Sequence, residues 1–264
     1  MASNANFVTV LGVVARKPEL RGEYKRLVMS VGGIQRVGDR DTIFFQQVRA
    51  GGDEGKFAAQ IEPGTPVLVK GLLRHETWTT DDGEKKSLTY LKANAIRRLP
   101  NPEQFEVEQR ITPAGEPYFL LKDGYISITA EGNLSRAELR YMPDGTALLT
   151  GSFGCKEEWI ADGETKEHTN WLNFQVWGPE AETLAQQNIG KGWSISVIDG
   201  IIRNSSSKSK SNGKTYQNTD IEVGGGRMEF LPKRGSGGSA GGSLDIDAAL
   251  DLPDLDNEES GLPF

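Results

Sequence analysis

The sequence predicts an all-β protein of two small barrels in tandem, and three features carry that expectation. The first is an internal repeat: VLGVVARKPELR (10–21) and AEGNLSRAELR (130–140) share a glycine, an arginine and a closing Glu-Leu-Arg. FQQVRAGGDEGKFAAQIEPG (45–64) parallels WLNFQVWGPEAETLAQQNIGKG (171–192), and GLLR (71–74) parallels GIIR (200–203), in the same order and at similar spacing. One module is written twice. The second is strand character: VTVLGVV, RLVMSVGG, IFFQQV, TPVLVKGLL and SLTYLKANAI are short, rich in Val, Ile, Leu and Thr, and separated by Gly, Asp and Asn turns. The third is a helical piece between the third and fourth strands of each copy, KFAAQI or PEAETLAQQN. Five strands with that helix is the layout of the Greek-key OB barrel.

The elements divide the chain in order. Residues 1–100 form the first barrel and 125–232 the second; 101–124 join them, and there FEVEQRI and PYFLL can pair as a hairpin around TPAGE. The fourth strand of the second copy, SISVIDGII, has one residue more than TPVLVKGLL before its next landmark, counting from Gly192 to GIIR and from Gly64 to GLLR, which predicts a bulge. Residues 233–264 read as a disordered Gly/Ser linker, GSGGSAGGS, and an acidic tail ending in Leu262, Pro263 and Phe264.

Composition excludes several classes. One cysteine, Cys155, cannot form an intramolecular disulfide, and two histidines are too few for a zinc cluster, so neither a metal nor a cofactor is expected. No basic n-region opens the chain and no run of 18 apolar residues occurs, which points to a soluble cytoplasmic protein without a membrane partner. The net charge of −7 is unevenly placed: +5 over 1–100, −3 over 101–124, −2 over 125–234 and −7 over 235–264. The tail supplies the whole deficit, and the first third is basic. No phosphate loop, nucleophile elbow or paired histidines occur, and Asp81-Asp82 and Glu157-Glu158 are adjacent neighbours in loops, without a common cleft, so the sequence offers no support for catalysis.

Trp171-Leu-Asn-Phe-Gln-Val-Trp177 is the most informative strand. Alternation puts Leu172, Phe174 and Val176 on a core face and Trp171, Asn173, Gln175 and Trp177 on the other. Two indoles among amides suit unpaired bases, whose flat π surfaces stack at about 1–3 kcal/mol each and without regard to sequence. The alternative is that both cover a barrel end or an oligomer interface. Trp159 in CKEEW extends the row, whereas Trp193 shares a face with Ile195 and Val197 and belongs to the core. In the first copy Phe45, Gln47 and Arg49 take the open face if Phe44, Val48 and Ala50 point inward; a slip of one residue would exchange Phe44 for Phe45. Trp78 opens the loop between the fourth and fifth strands.

Basic groups that can reach phosphates lie mostly in loops: Lys85 and Lys86 in the first copy, Lys208, Lys210 and Lys214 in the second, with Tyr216 beside them. Solvated loops are the alternative for any one of these lysines. Together they would make binding salt-dependent, log K falling by about 0.7 per phosphate neutralised on a single strand. Arg16, Arg21, Arg136 and Arg140 recur near the first turn of each copy, equally suited to phosphate or to an ion pair with Glu19 or Glu138. Arg74 and Arg203, closing GLLR and GIIR, complete the polar candidates.

These residues resemble the bacterial single-stranded DNA-binding proteins, in the version with two OB folds per chain. The resemblance rests on ELR at 19–21 and 138–140, WLNFQVWG at 171–178, KG at 191–192, GLLRHETWTTDDG at 71–83 and LDIDAALD to LPF from 244 to 264. It implies base stacking at Trp78, Trp159, Trp171 and Trp177, four OB folds per particle and hence a homodimer. It also implies a terminal Pro-Phe that recruits replication, recombination and repair proteins, and a location on the nucleoid. The copies depart from the pattern unequally: the first lacks aromatics matching Trp159 and Trp177, the second has Ser205, Ser206 and Ser207 for the loop tryptophan, and Gly261 replaces an acid before the final triplet. The first module is thereby expected to favour phosphates and the second bases. A divergent OB-fold module that binds proteins or RNA, with weak DNA affinity, is the competing reading, and a nucleotide-processing module is a third.

Overall fold

A computed structural model describes residues 5–23, 25–80, 83–161, 163–208, 215–224 and 226–232. The first barrel is built from β1 (Asn6–Val14), the short β2 (Glu19–Arg21), β3 (Arg26–Val37), β4 (Arg40–Ala50), α1 (Gly52–Ala58), β5 (Pro66–Thr79) and β6 (Lys85–Arg98). A 3-10 turn (Pro102–Gln104) leads to a hairpin of β7 (Val107–Ile111) and β8 (Pro117–Leu121). The second barrel uses β9 (Tyr125–Tyr141), β10 (Ala147–Ala161), β11 (Glu164–Trp177), α2 (Pro179–Ala185), β12 (Ser194–Lys208), β13 (Thr215–Val223) and β14 (Met228–Leu231). Each barrel closes through five strands: β1–β5–β6–β4–β3–β1 and β9–β12–β13–β11–β10–β9. In both, the third and fifth strands pair in parallel, β4 with β6 and β11 with β13, while the other pairs are antiparallel. The all-β tandem-barrel expectation is met.

Alternation drives closure. Val8, Val10, Phe44, Val48, Leu172, Phe174 and Val176 turn inward with almost no exposure, so burying each strand's apolar face requires the sheet to curl onto itself. Trp193 packs against this core. Proline at the first position of α2 and acids in the first turns of both helices fit their N-terminal ends. The extra residue in SISVIDGII is a bulge: Val197 pairs with Ala130 but Gly200 with Ile128, and Asp199 there takes φ +55°.

The barrels are joined edge to edge, β1 running antiparallel to β9 from Asn6↔Ala130 to Leu11↔Tyr125. The β7–β8 hairpin lies along the first barrel. Phe119 N donates to Ala15 O at 3.1 Å, and the buried Tyr118 ring meets Phe45 edge-on at 5.7 Å between centroids. Among the described residues, no helix is long and apolar enough to cross a membrane, and no cluster of His, Cys, Asp and Glu could hold a metal ion. Cys155 is buried, its thiol donates to Glu131 O, and burial pushes its pKa up to about 12.

Candidate nucleic-acid interface

On the second barrel the outer face of β10 and β11 carries the paired indoles. Trp171 is 50% exposed and Trp177 40%, while Leu172, Phe174 and Val176 between them are buried. Trp171 lies opposite Gly154, where a methyl group would stand 3.3 Å from the indole. The absent side chain lets the ring lie over the backbone of the neighbouring strand. The first barrel repeats the device with Gly32 opposite Phe45, so Phe45 and Trp171 are structural equivalents. Phe44, Val48 and Ala50 point inward, which puts Phe45, Gln47 and Arg49 outside. Phe45 is less exposed than either tryptophan, however, because Tyr118 covers one edge.

The two outer faces differ in charge. Register matches Arg74 with Arg203, Tyr90 with Asp220 and Lys92 with Glu222. In the first barrel Arg49 lies over the Tyr90 ring at 4.5 Å, beside Lys92 on the paired strand. Tyr90 Oη donates to Glu76 at 2.7 Å; burial, then that bond, push its pKa up to about 12. Gln47 Oε1 and Arg49 Nε are buried without a hydrogen-bond partner among the described residues. Such orphaned groups cost about 1–3 kcal/mol each. In the second barrel Arg203 grips Glu222 through Nε at 2.9 Å and Nη2 at 3.4 Å, and burial raises the Asp220 pKa. The first face is cationic; the second offers uncovered tryptophans beside acids.

Trp159 does not extend the Trp171 row. β10 and β11 pair without a slip from Leu148↔Trp177 to Ala161↔Glu164, so odd-numbered β10 residues stay on the face opposite Trp171. Glu157 and Trp159 therefore turn toward the first barrel. The Trp159 ring meets Arg74 Cζ at 5.5 Å and Lys92 Nζ at 5.7 Å, and Glu157 binds Arg74 at 3.0 Å and Lys92 at 2.5 Å. No local pattern marks Glu157, Lys92 and Tyr90 as neighbours, and the loop expected at Glu157 and Glu158 is not found. The pair lies on a strand with its members facing opposite sides.

The crossing continues through histidines. The buried Asn170 accepts from His75 N at 3.1 Å, and His168 Nε2 donates to His75 O at 3.0 Å. Burial, then the His168 charge, lower the His75 pKa. With the folded value below the ordinary one of about 6.5, the unfolded chain takes the proton first on acidification. This contribution to stability is complete above the ordinary value and is lost as pH falls from there toward the folded value. The unfolding temperature should fall from pH 7 to pH 5, and His75→Gln should flatten that slope. An unchanged slope in the variant would remove His75 from the account.

The remaining candidates are placed as follows. Trp78 is exposed on β5, opposite Lys86, in an ordered ribbon rather than at the start of a loop; Thr80 N donates to Glu84 O where the ribbon turns. Lys86 pairs with Glu84 at 3.3 Å. Arg21 pairs with Glu19 at 2.6 Å, whereas Arg16, Arg136 and Arg140 are exposed and have no ion pair among the described residues. Arg74, with its side chain 15% exposed, is held by Glu76 and Glu157. Lys85, Lys208 and Tyr216 lie on β6, β12 and β13. Lys210, Lys214 and the tail residues Leu262, Pro263 and Phe264 lie outside the described residues.

Comparison with known proteins agrees with this architecture. The profile of the Single-strand binding protein family matches residues 126–231. Over 283 residues the chain is 29% identical to the single-stranded DNA-binding protein of Thermus aquaticus, and over 282 residues it is equally identical to one from Thermus thermophilus. Both alignments cover the whole of each chain. The crystal structure of the wild-type Thermus aquaticus single-stranded DNA binding protein matches with a TM-score of 0.61 at 24% identity. That match covers 90% of this chain and 98% of the other. A deletion mutant of that protein matches at 0.62 and 23% identity, covering 86% and 95%. The double-barrel fold is common to the chain and these structures, the family profile matches its second barrel, and the Thermus single-stranded DNA-binding proteins align with it along their whole length.

Proposed function

We propose that the protein binds single-stranded DNA without sequence preference, keeping it unpaired during replication, recombination and repair. The observation that carries this reading is the half-exposed pair Trp171 and Trp177, held over a buried strand face with Gly154 leaving room beneath one ring. Exposed indoles fixed from below are stacking platforms, because little ordering entropy remains to be lost when a base arrives. Arg49 and Lys92 supply cations beside Tyr90 on the first barrel, and the exposed Arg16, Arg136 and Arg140 can follow the phosphates. The uncovered tryptophans of the second barrel weight it toward bases, and the basic first face toward phosphates.

Two further elements complete the proposal. Phe7, Leu11 and Tyr125 share one face of the joined β1–β9 sheet; Phe7 and Tyr125 are exposed, as is Ile198 in the bulge, whose Asp199 accepts from Tyr125 Oη. A second copy covering that face would give a homodimer with four barrels. The acidic tail ending in Leu262, Pro263 and Phe264 recruits partner proteins: its charge keeps it from bound phosphates, and its terminal ring and carboxylate suit a basic pocket with an apolar floor. Such a protein would work in the cytoplasm on the nucleoid.

Titration with oligo-dT of graded length, read by intrinsic tryptophan fluorescence alongside particle mass, tests the reading. Quenching at low salt, a mass twice that of the 28.8 kDa chain, and retained affinity after removal of residues 235–264 are expected. Fluorescence unchanged by saturating oligo-dT would end the DNA-binding proposal; a monomeric mass would end only the dimer.

A further inference from the structure

We infer that Glu157 is a built-in competitor for the strand: its carboxylate occupies Lys92 in the free protein and is displaced there by a DNA phosphate. This rests on the DNA-binding reading above and assigns a regulating residue to the same site.

The geometry makes Lys92 the exchangeable partner. Glu157 Oε1 holds Lys92 Nζ at 2.5 Å, while Oε2 holds Arg74 Nη1 at 3.0 Å and faces Asn170 Nδ2 at 3.5 Å. The Glu157 side chain is 12% exposed and that of Arg74 15%, but that of Lys92 is 41% exposed. Lys92 can therefore turn toward solvent on its flexible stem. Glu157 then keeps Arg74 and Asn170, so its charge is not left buried and alone, the outcome that would make exchange costly.

The surroundings suit a nucleotide. Trp159, brought by the second barrel, lies beside the two cations, and Tyr90 lies under Arg49 on the strand next to Lys92. A cation flanked by flat rings can take a phosphate and its base together. The aromatic that the first module lacks at its own matching position, Val37, is supplied across the crossing by the other barrel. An anion fixed there lowers the net attraction of the face for DNA until the strand arrives.

Salt-dependent oligo-dT titrations of the full chain test this. Glu157→Gln should bind about threefold to tenfold tighter at low salt. Its plot of log K against log salt should steepen by about 0.7, the contribution of one more net cation on a single strand. Lys92→Gln should cost more affinity in the Glu157→Gln background than in the wild type, because only there is Lys92 unmasked. If Glu157→Gln fails to fold, as read by its unfolding transition, Glu157→Asp keeps a carboxylate for Arg74 but falls short of Lys92, and tighter binding is again expected. Equal or weaker binding by the folded variant, with an unchanged salt slope, would overturn the inference and leave Glu157 as a strut between barrels. Wild-type protein that ignores oligo-dT would remove the underlying reading as well.

Discussion

Replacing Trp171 and Trp177 together by alanine should weaken oligo-dT binding by about 2–6 kcal/mol, since each stacked base contributes about 1–3 kcal/mol. That is roughly a thirtyfold loss at the least. Stability should change little by comparison, because both rings are substantially exposed and rest on a strand whose inward residues are untouched. Phe174→Ala on the same strand should do the reverse: its fully buried ring packs against Phe153 and Phe230, and its removal should cost about 3–5 kcal/mol of stability. Pairing these variants separates binding from folding. A folded Trp171→Ala, Trp177→Ala protein with wild-type affinity would mean that the indoles cover a protein surface instead of bases.

The face carrying those indoles is legible in the sequence because a strand repeats every two residues, so seven consecutive letters decide which side chains share a side. The bulge at Ile198 and Asp199 is legible for a related reason: comparing the two copies exposes one surplus residue. Trp159 is not legible in this way. Its distance from Trp171 in sequence is known, but its face depends on unbroken pairing through the turn at Ala161 and Glu164, and its neighbours Arg74 and Lys92 come from the other barrel. Glu157 and Lys92 lie 65 positions apart, and nothing local marks them as partners. Tyr118 against Phe45 belongs to the same class. Repeat and period disclose the modules and their faces; what the barrels lend each other depends on docking, which neither periodicity nor composition encodes.

Gly71→Ala should be the most damaging small substitution on the first barrel. A methyl group there would overlap Lys92 O and stand 2.9 Å from Ala93 Cα, both backbone atoms with no rotamer to move. The cause is a bulge on β6: Lys70 pairs with Ala95 but Gly71 with Ala93, which crowds the two backbones together. Relief requires β5 and β6 to part, breaking ladder hydrogen bonds where the barrel wall continues into the ribbon that carries Arg74, Tyr90, Lys92 and Trp78. A loss of about 3 kcal/mol or more is expected, lowering the unfolding temperature by roughly 6–12 °C for a chain of this size. The equivalent Gly200 is a control, because its added methyl would meet Ile221 Cγ2 at 2.5 Å and Val197 Cγ1 at 2.9 Å. Those are side-chain methyls that can give way, so Gly200→Ala should cost distinctly less. The two variants also separate the barrels functionally: Gly71→Ala should disturb the cationic face and the Glu157 crossing, and Gly200→Ala should leave both in place. Equal unfolding temperatures for the two would show that the bulge on β6 yields more readily than its backbone contacts imply.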